Sequence, residues 1–91
     1  MRPRVEFDNQ ASNRFTVVEV NARDRPALLN RLARALFEAN LQVHSAHIAT
    51  YGERAADTFY VTDQLGHKIE SANRLKDVER RLIEAAGEET V

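Results

Sequence analysis

The sequence contains no cysteine, only two prolines and three glycines, and no apolar stretch longer than three residues. Without cysteine there is no disulfide, no thiolate metal ligand and no cysteine nucleophile. Apolar stretches this short exclude a signal-peptide core and a membrane-spanning helix. We therefore expect a cytoplasmic location and no membrane partner.

Positive and negative charges nearly cancel, with 13 Lys+Arg against 14 Asp+Glu and a net charge of -1 at pH 7. The broad positive field on which nonspecific nucleic-acid binding depends is therefore missing. An RNA-recognition sheet would present stacked aromatics beside basic residues. Phe59 and Tyr60 instead alternate across a predicted strand and lack basic flanks. We expect no nucleic-acid partner.

A length of 91 residues provides for one small domain, and 43% hydrophobic with 30% charged residues is typical of a globular chain. We expect a single domain over residues 1–91, with its core between residues 4 and 86. Strand-like sequence begins directly after Met1-Arg2-Pro3. That start favours a segment excised from a larger protein.

Six segments carry the periodicity of strands or helices. Period-two alternation predicts strands at 4–8, 14–21, 41–51 and 56–62. Amphipathic spacing predicts a helix from about Pro26 to Asn40 and a second one from Ser71 to Gly87. Two amphipathic helices need a common sheet to bury their apolar stripes. The order ββαββα therefore predicts an α+β, ferredoxin-like two-layer sandwich, in which a four-stranded antiparallel sheet carries both helices on one face.

The second and third strands carry further information about the sheet. Apolar residues on both faces of the second strand, with Phe15 and Val17 opposite Val18 and Val20, predict a central strand. In the third strand the apolar parity slips, and a bulge near His44-Ser45 would restore one buried face.

The first predicted helix has the clearest start and stop signals. Asp24 is its candidate N-cap, Pro26 fits the first turn, and Asn40 fits the left-handed position that ends a helix. Its predicted apolar stripe consists of Leu28, Leu29, Leu32, Ala33, Leu36 and Phe37.

Residue types that carry chemistry are few. His44 and His47 fall on opposite faces of a regular strand, so only the bulge would bring them together, and we expect no metal site. No nucleophile or phosphate-binding glycine motif occurs, so we expect no catalytic residue and no cofactor. Strand ends, turns or a cap explain the acidic residues Asp8, Asp24, Asp57 and Asp63.

The junction from residue 21 to residue 28 is the most informative place for function. A helix start exposes unpaired N–H groups and a partial positive charge, which suit a carboxylate such as that of an amino acid. An ordinary capped junction explains the same residues equally well. These two interpretations stay open on the residues alone.

Two segments resemble a known family. The run Asn21-Ala-Arg-Asp-Arg-Pro-Ala-Leu-Leu29 is similar to the D-R-P-G-L-L-like junction of the ACT domain family. Residues 48–63, together with Gly66-His-Lys-Ile69, resemble the C-terminal ACT domain of the bacterial enzymes that uridylylate and deuridylylate the PII protein. The resemblance extends over about residues 4–86.

The resemblance implies a regulatory domain without chemistry of its own, which binds an amino acid effector at an interface between paired ACT domains. In that enzyme family the implied effector is glutamine, and the isolated domain is expected to form a homodimer. The PII protein would be a partner through the parent enzyme, whose catalytic centres would lie outside this chain.

Carried over residue by residue, the resemblance implies a ligand loop and a facing strand. The loop comprises Asn21, Asp24, Arg25, Pro26, Ala27 and Leu28, and the strand comprises Val43, His44, Ser45 and Ala46.

Two departures from the family pattern qualify this expectation. The family usually has glycine where this chain has Ala27, and the extra methyl narrows the space for a ligand. The alternative is therefore a structural module that pairs ACT domains without binding a ligand. The family also ends with a strand, so the strand at 4–8 would have to take that edge position.

Overall fold

The fold is a four-stranded antiparallel sheet with two helices, given by a computed structural model that describes residues 2–87. The elements in chain order are β1 (Arg4–Asp8), β2 (Thr16–Arg23), α1 (Leu28–Glu38), β3 (Gln42–Tyr51), β4 (Arg54–Thr62) and α2 (Ala72–Ala86). The predicted order ββαββα and the ferredoxin-like class are confirmed. Neither helix within the described residues has the length and apolar character needed to span a bilayer.

The strands are ordered β1-β2-β4-β3 across the sheet. The central position of β2 is confirmed, as is the edge position of β1, which pairs antiparallel with β2 from Arg4 opposite Asn21 to Asp8 opposite Val17. An N-terminal strand thus occupies the place that a C-terminal strand takes in the usual family pattern. The other edge of the sheet is β3.

The core lies between the helices and one face of the central strands. Alternating residues of β2 and β4 point into it and are at most 2% exposed: Val18, Val20, Ala22, Ala55, Phe59 and Val61. The helices contribute mainly Leu28, Leu32, Leu36, Val78 and Leu82. The residues between them in sequence face the other side, where Phe15, Val17 and Tyr60 are only partly buried. This confirms the predicted two-sided character of β2.

The start of α1 differs from the prediction. Asp24 is not its N-cap: the helix begins at Leu28, after Ala27, whose φ is 63° and which gives no side-chain cap. The backbone turns through this left-handed residue before the helix starts, and the Leu28 N–H donates to the Arg25 carbonyl over 3.2 Å. The Asp24 N–H is engaged elsewhere, with the Glu53 carbonyl at 2.7 Å.

The end of α1 agrees with the prediction. Asn40 has a φ of 64°, and its N–H donates to the Phe37 carbonyl over 2.9 Å. The next N–H, that of Leu41, donates to the Leu36 carbonyl over 3.1 Å. These two bonds are the Schellman pattern, which satisfies carbonyls that the helix end would otherwise leave open.

The apolar stripe of α1 is wider than the surface that covers it. Leu29 and Phe37 are 40% and 73% exposed, so their predicted burial is wrong.

The bulge in β3 is confirmed between Val43 and Ser45. A buried face on β3 is wrong, since none of its residues is buried. The strand β3 lies at the edge of the sheet, and α1 covers it only in part. Apolar side chains of β3 therefore stay exposed.

The second helix follows its sequence signals. The Ser71 hydroxyl accepts the Arg74 N–H, and Gly87 is the C-cap. Asp77 forms ion pairs with Arg81 at 2.9 Å and with Arg80 at 2.7 Å.

We predict that Ala27→Gly raises the free energy of unfolding by about 1 kcal/mol, because it relieves a Cβ held in the left-handed region. The matched change Ala33→Gly, inside α1, should lower it by about 1 kcal/mol. Urea unfolding of both variants measures the difference. Equal destabilisation by the two changes would contradict the role assigned to Ala27.

Candidate ligand site at the start of helix α1

A pocket of about 290 Å³ lies where α1 begins, between the β2–α1 loop and the strands β3 and β4. Its volume is at the small end of the range of about 300–1,000 Å³ that is usual for ligand pockets. The lining residues are Asp24, Arg25, Ala27, Leu28, Leu29, Asn30, Ile48, Ala55 and Asp57. The pocket suits a small polar molecule.

The helix side of this pocket is a source of hydrogen-bond donors. The first N–H groups of an α-helix have no intrahelical partner, and a side-chain cap normally satisfies one of them. Ala27 occupies the N-cap position, and its methyl group cannot accept a hydrogen bond. The Leu28 N–H already donates to the Arg25 carbonyl, but no side chain caps the N–H groups that follow it. The uncapped, positive end of the α1 dipole at the pocket favours a negatively charged ligand group.

The strand side of the pocket carries a buried carboxyl group. Asp57 follows the inward-facing alternation of β4, between Ala55 and Phe59, and is 2% exposed. Its Oδ1 has no hydrogen-bond partner within residues 2–87. Burial raises the pKa of Asp57 above its ordinary value, and the negative charge of Asp24 raises this pKa further. The predicted position of Asp57 at a strand end is wrong, because β4 begins three residues earlier, at Arg54.

Arg25 connects the pocket to the end of α2. Its Nη2 donates to the Ala85 carbonyl over 3.2 Å, and Arg31 donates to the same carbonyl from Nε over 3.1 Å. Such cations suit the negative end of the helix dipole. The Nε of Arg25 is buried and has no acceptor within residues 2–87. In that part of the chain, Arg25 Nε and Asp57 Oδ1 are the two buried side-chain polar atoms without a partner, and both residues line the pocket.

Four of the predicted loop residues meet in the pocket: Asp24, Arg25, Ala27 and Leu28. Pro26 is exposed in the same loop and does not line the pocket. Asn21 lies on the sheet face opposite the helices, where its Nδ2 donates to Glu19 over 3.3 Å. The loop is thus only partly assembled into one site.

The predicted facing strand lies away from this pocket. Val43 lines a different cavity of about 480 Å³, next to Phe37 near the end of α1. His44 turns to the open face of the sheet, where its Nε2 is 2.7 Å from the Thr62 hydroxyl. Ser45 and Ala46 pair with Tyr60 and Phe59 and are exposed. The structure does not bring these four residues to the pocket of their own chain, and the ligand roles of all ten residues stay predictions.

The bulge in β3 places both neighbouring histidines on the open face. The ring of His44 is 4.9 Å from that of Phe15, and the ring of His47 is 5.6 Å from that of Tyr60. On a regular strand His44 and His47 would lie on opposite faces of the sheet, but the bulge brings them to the same face. Residues 2–87 contain no group of three or more His, Cys, Asp or Glu side chains that could hold a metal ion.

Two other carboxylates have the local roles that were predicted. Asp8 accepts the N–H groups of Gln10 and Ala11 at 2.8 and 3.0 Å. Asp63 accepts those of Leu65 and His67, both at 2.9 Å. The bond from His67 is the main reason that the pKa of Asp63 is lowered. All four bonds are accepted by Oδ1 of the two aspartates, and they stabilise the turns that follow β1 and β4.

Five lining residues were missed by the sequence reasoning: Leu29, Asn30, Ile48, Ala55 and Asp57. One of them has a sequence signal. Counting backwards by two from Val61 gives Phe59, then Asp57 and Ala55, so an acid interrupts an otherwise apolar row. A charged residue in the buried row of a strand is rarely there for stability, since burying a charge is costly.

Comparison with known families agrees with this geometry. A family profile described as the ACR family N-terminal ACT domain matches residues 11–89. The chain belongs to the ACT domain family. The prediction made from the junction and from residues 48–69 is confirmed at this level. The position of the ACT domain within a longer protein stays a prediction.

Three curated relatives carry the name "Bifunctional uridylyltransferase/uridylyl-removing enzyme". That of Novosphingobium aromaticivorans is 75% identical over 91 residues, which is 100% of this chain and 10% of the relative. Those of Erythrobacter litoralis and Zymomonas mobilis are both 64% identical, over 97% and 94% of this chain and 10% and 9% of the relatives. The ACT domain thus spans about a tenth of the length of these relatives.

A solved structure shares the fold. The crystal structure of an unknown protein from Galdieria sulphuraria superposes with a TM-score of 0.58 and 23% identity. The match covers 72% of the ACT domain and 37% of that chain. At this identity the likeness shows the fold alone.

We predict opposite pH dependences for two aspartates of the ACT domain. Folding raises the pKa of Asp57 above 3.8, so the folded chain binds more protons than the unfolded one between 3.8 and the raised pKa. Stability due to this group therefore falls as pH rises through that window, and Asp57→Asn should raise the free energy of unfolding at about pH 7 but not at about pH 3.

Asp63 is the matched control, because folding lowers its pKa. Its stabilisation is present above the unfolded pKa and is lost as pH falls through the folded pKa, so Asp63→Asn should lower stability more at about pH 7 than at about pH 3. Urea unfolding at both pH values measures the two effects. The same sign for both variants at neutral pH would contradict the assignment.

Proposed function

We propose that this ACT domain senses a free amino acid, glutamine, and regulates a bifunctional uridylyltransferase/uridylyl-removing enzyme of which it is a part. In this proposal the ligand reports nitrogen status, and the parent enzyme acts on the PII protein in the cytoplasm. The ACT domain supplies no catalytic group. The names and identities of the curated relatives support the choice of parent.

The observation that carries the proposal is the pocket at the uncapped start of α1. Its helix side offers N–H donors, its strand side offers a carboxyl group, and its volume of about 290 Å³ accommodates one small molecule. An ordinary structural junction would place an accepting side chain at the N-cap. Here that position is an alanine in a strained conformation, and no side chain caps the start of the helix.

A second candidate function is pairing of ACT domains without a ligand. A strip of apolar side chains lies open between α1 and β3, formed by Leu29 and Phe37 on the helix and Val43 and Ile48 on the strand; we call it the α1–β3 groove. Within residues 2–87, no strand neighbours the outer edge of β3 in the sheet. Open edges and apolar patches are features that another chain can cover. A second copy would cover both at once.

We expect titration calorimetry of the 91-residue chain with L-glutamine to show saturable binding, and Ala27→Gly to leave that binding intact or strengthen it, because the change removes a methyl group from the pocket wall. If neither the wild-type chain nor Ala27→Gly binds L-glutamine, the sensing proposal is overturned. Binding by Ala27→Gly alone would instead favour the pairing function, with a pocket that the native methyl closes.

For pairing, we expect sedimentation of the wild-type chain to show a dimer and Phe37→Glu to shift it to monomer, because the charge would enter the α1–β3 groove. Leu65→Glu is the control: Leu65 is 80% exposed, compared with 73% for Phe37, and lies in the turn after β4. Monomeric wild type, or equal dissociation by both variants, would contradict pairing through this groove.

A further inference from the structure

The two unpartnered polar atoms of the pocket have opposite hydrogen-bonding character. Arg25 Nε is a donor on a permanent cation, and Asp57 Oδ1 is an acceptor on an acid. Each is shielded from water within residues 2–87, yet neither satisfies the other. More than about nine in ten buried polar groups in folded proteins have a partner, so two exceptions in one pocket require an explanation.

Folding alone does not explain this pair. Arg25 already has a structural contact, through its Nη2 on the Ala85 carbonyl, which leaves Nε unused. Asp57 experiences burial and the like charge of Asp24, and both raise its pKa, so its surroundings disfavour the carboxylate. Both groups would gain from a molecule that brings an acceptor to Arg25 and a positively charged donor to Asp57.

A free α-amino acid carries these two groups on a single carbon. Its carboxylate supplies an acceptor for Arg25 Nε and a negative charge for the uncapped, positive end of the α1 dipole. Its ammonium group fits Asp57 Oδ1 and the neighbouring carboxyl group of Asp24, which lines the same pocket. The exposed Ile48 borders the opening, where the ligand's side chain would extend.

We propose that Arg25 and Asp57 are the specificity-determining residues of the pocket and recognise the carboxylate and the ammonium group of one free α-amino acid. This inference rests on the proposed amino-acid-sensing function and deepens it, because it states which two charges a ligand must carry. A molecule that lacks either charge binds poorly, since it leaves one buried group unpaired. The ligand's side chain sets the choice among amino acids.

The first test is a ligand series on the wild-type 91-residue chain. Binding is measured from the changes in the amide chemical shifts of residues around the pocket. The probes are L-glutamine, the 2-oxo acid with the same side chain, and the amine that lacks the carboxylate. We expect the oxo acid and the amine each to bind at least about tenfold more weakly than L-glutamine, the usual effect of losing a hydrogen bond to a charged group.

The second test compares matched variants. Arg25→Gln and Arg31→Gln each remove a guanidinium that contacts the Ala85 carbonyl, but only Arg25 lines the pocket. Asp57→Asn removes the acceptor charge, and Asp63→Asn removes a carboxylate outside the pocket. We expect Arg25→Gln and Asp57→Asn to weaken L-glutamine binding at least about tenfold, with wild-type affinity in both controls.

The outcomes separate the two proposals. If L-glutamine binds and the oxo acid or the amine binds equally well, the charge-recognition proposal is overturned while amino-acid sensing stands. Equal loss of affinity in Arg25→Gln and Arg31→Gln likewise overturns the role of Arg25. If none of the probes binds, both proposals fail. Should a variant not fold, as judged by its thermal transition, the ligand series on the wild-type chain still decides.

Discussion

Pairing of β2 with β4 is the interaction on which the site depends, because it decides which side chains face the helices. Val18 pairs with Phe59 and Val20 pairs with Asp57, so both rows share one buried face. Burying a large apolar side chain contributes about 1.5–3 kcal/mol, and a one-residue slip would move the entire row to the open side. The register is therefore strongly fixed, and it holds Asp57 inside the domain although its chemistry opposes burial.

Departures from the usual rules of folding gather at one pocket. Ala27 has a backbone conformation that suits glycine, Asp57 is a buried acid without a partner at Oδ1, and Arg25 keeps an unused donor. Each departure costs stability, and such costs persist mainly where a site requires the arrangement. Asn40 shows the contrast: it is also left-handed, but its conformation ends α1 with two backbone hydrogen bonds. The strained conformation of Ala27 is not offset by a comparable set of backbone hydrogen bonds within residues 2–87.

The sequence allowed the fold to be predicted more fully than the site, for a physical reason. Periodicity and turn chemistry are local, so the six elements, the bulge after Val43 and the end of α1 at Asn40 could all be inferred. The start of α1 could not, because the left-handed turn at Ala27 is not a conformation that alanine prefers. The exposure of β3 was missed because strand order, rather than pattern, makes it an edge. Asp57 was missed because the predicted strand began at residue 56, which placed Asp57 at a strand end. In the structure β4 begins at Arg54, and Asp57 belongs to its buried row.

The two proposed roles meet at Ile48, which borders the pocket and also belongs to the open α1–β3 groove. A second copy that covers this edge would remove water from the mouth of the pocket, and charged contacts are stronger where water is excluded. The ammonium group of a ligand would then bind Asp57 more tightly in the pair than in the single domain. Linkage is reciprocal, so the ligand would strengthen pairing by the same factor. In this scheme ligand binding and dimerisation are coupled parts of one equilibrium. A substitution in the α1–β3 groove therefore alters ligand affinity although it leaves Arg25 and Asp57 themselves unchanged.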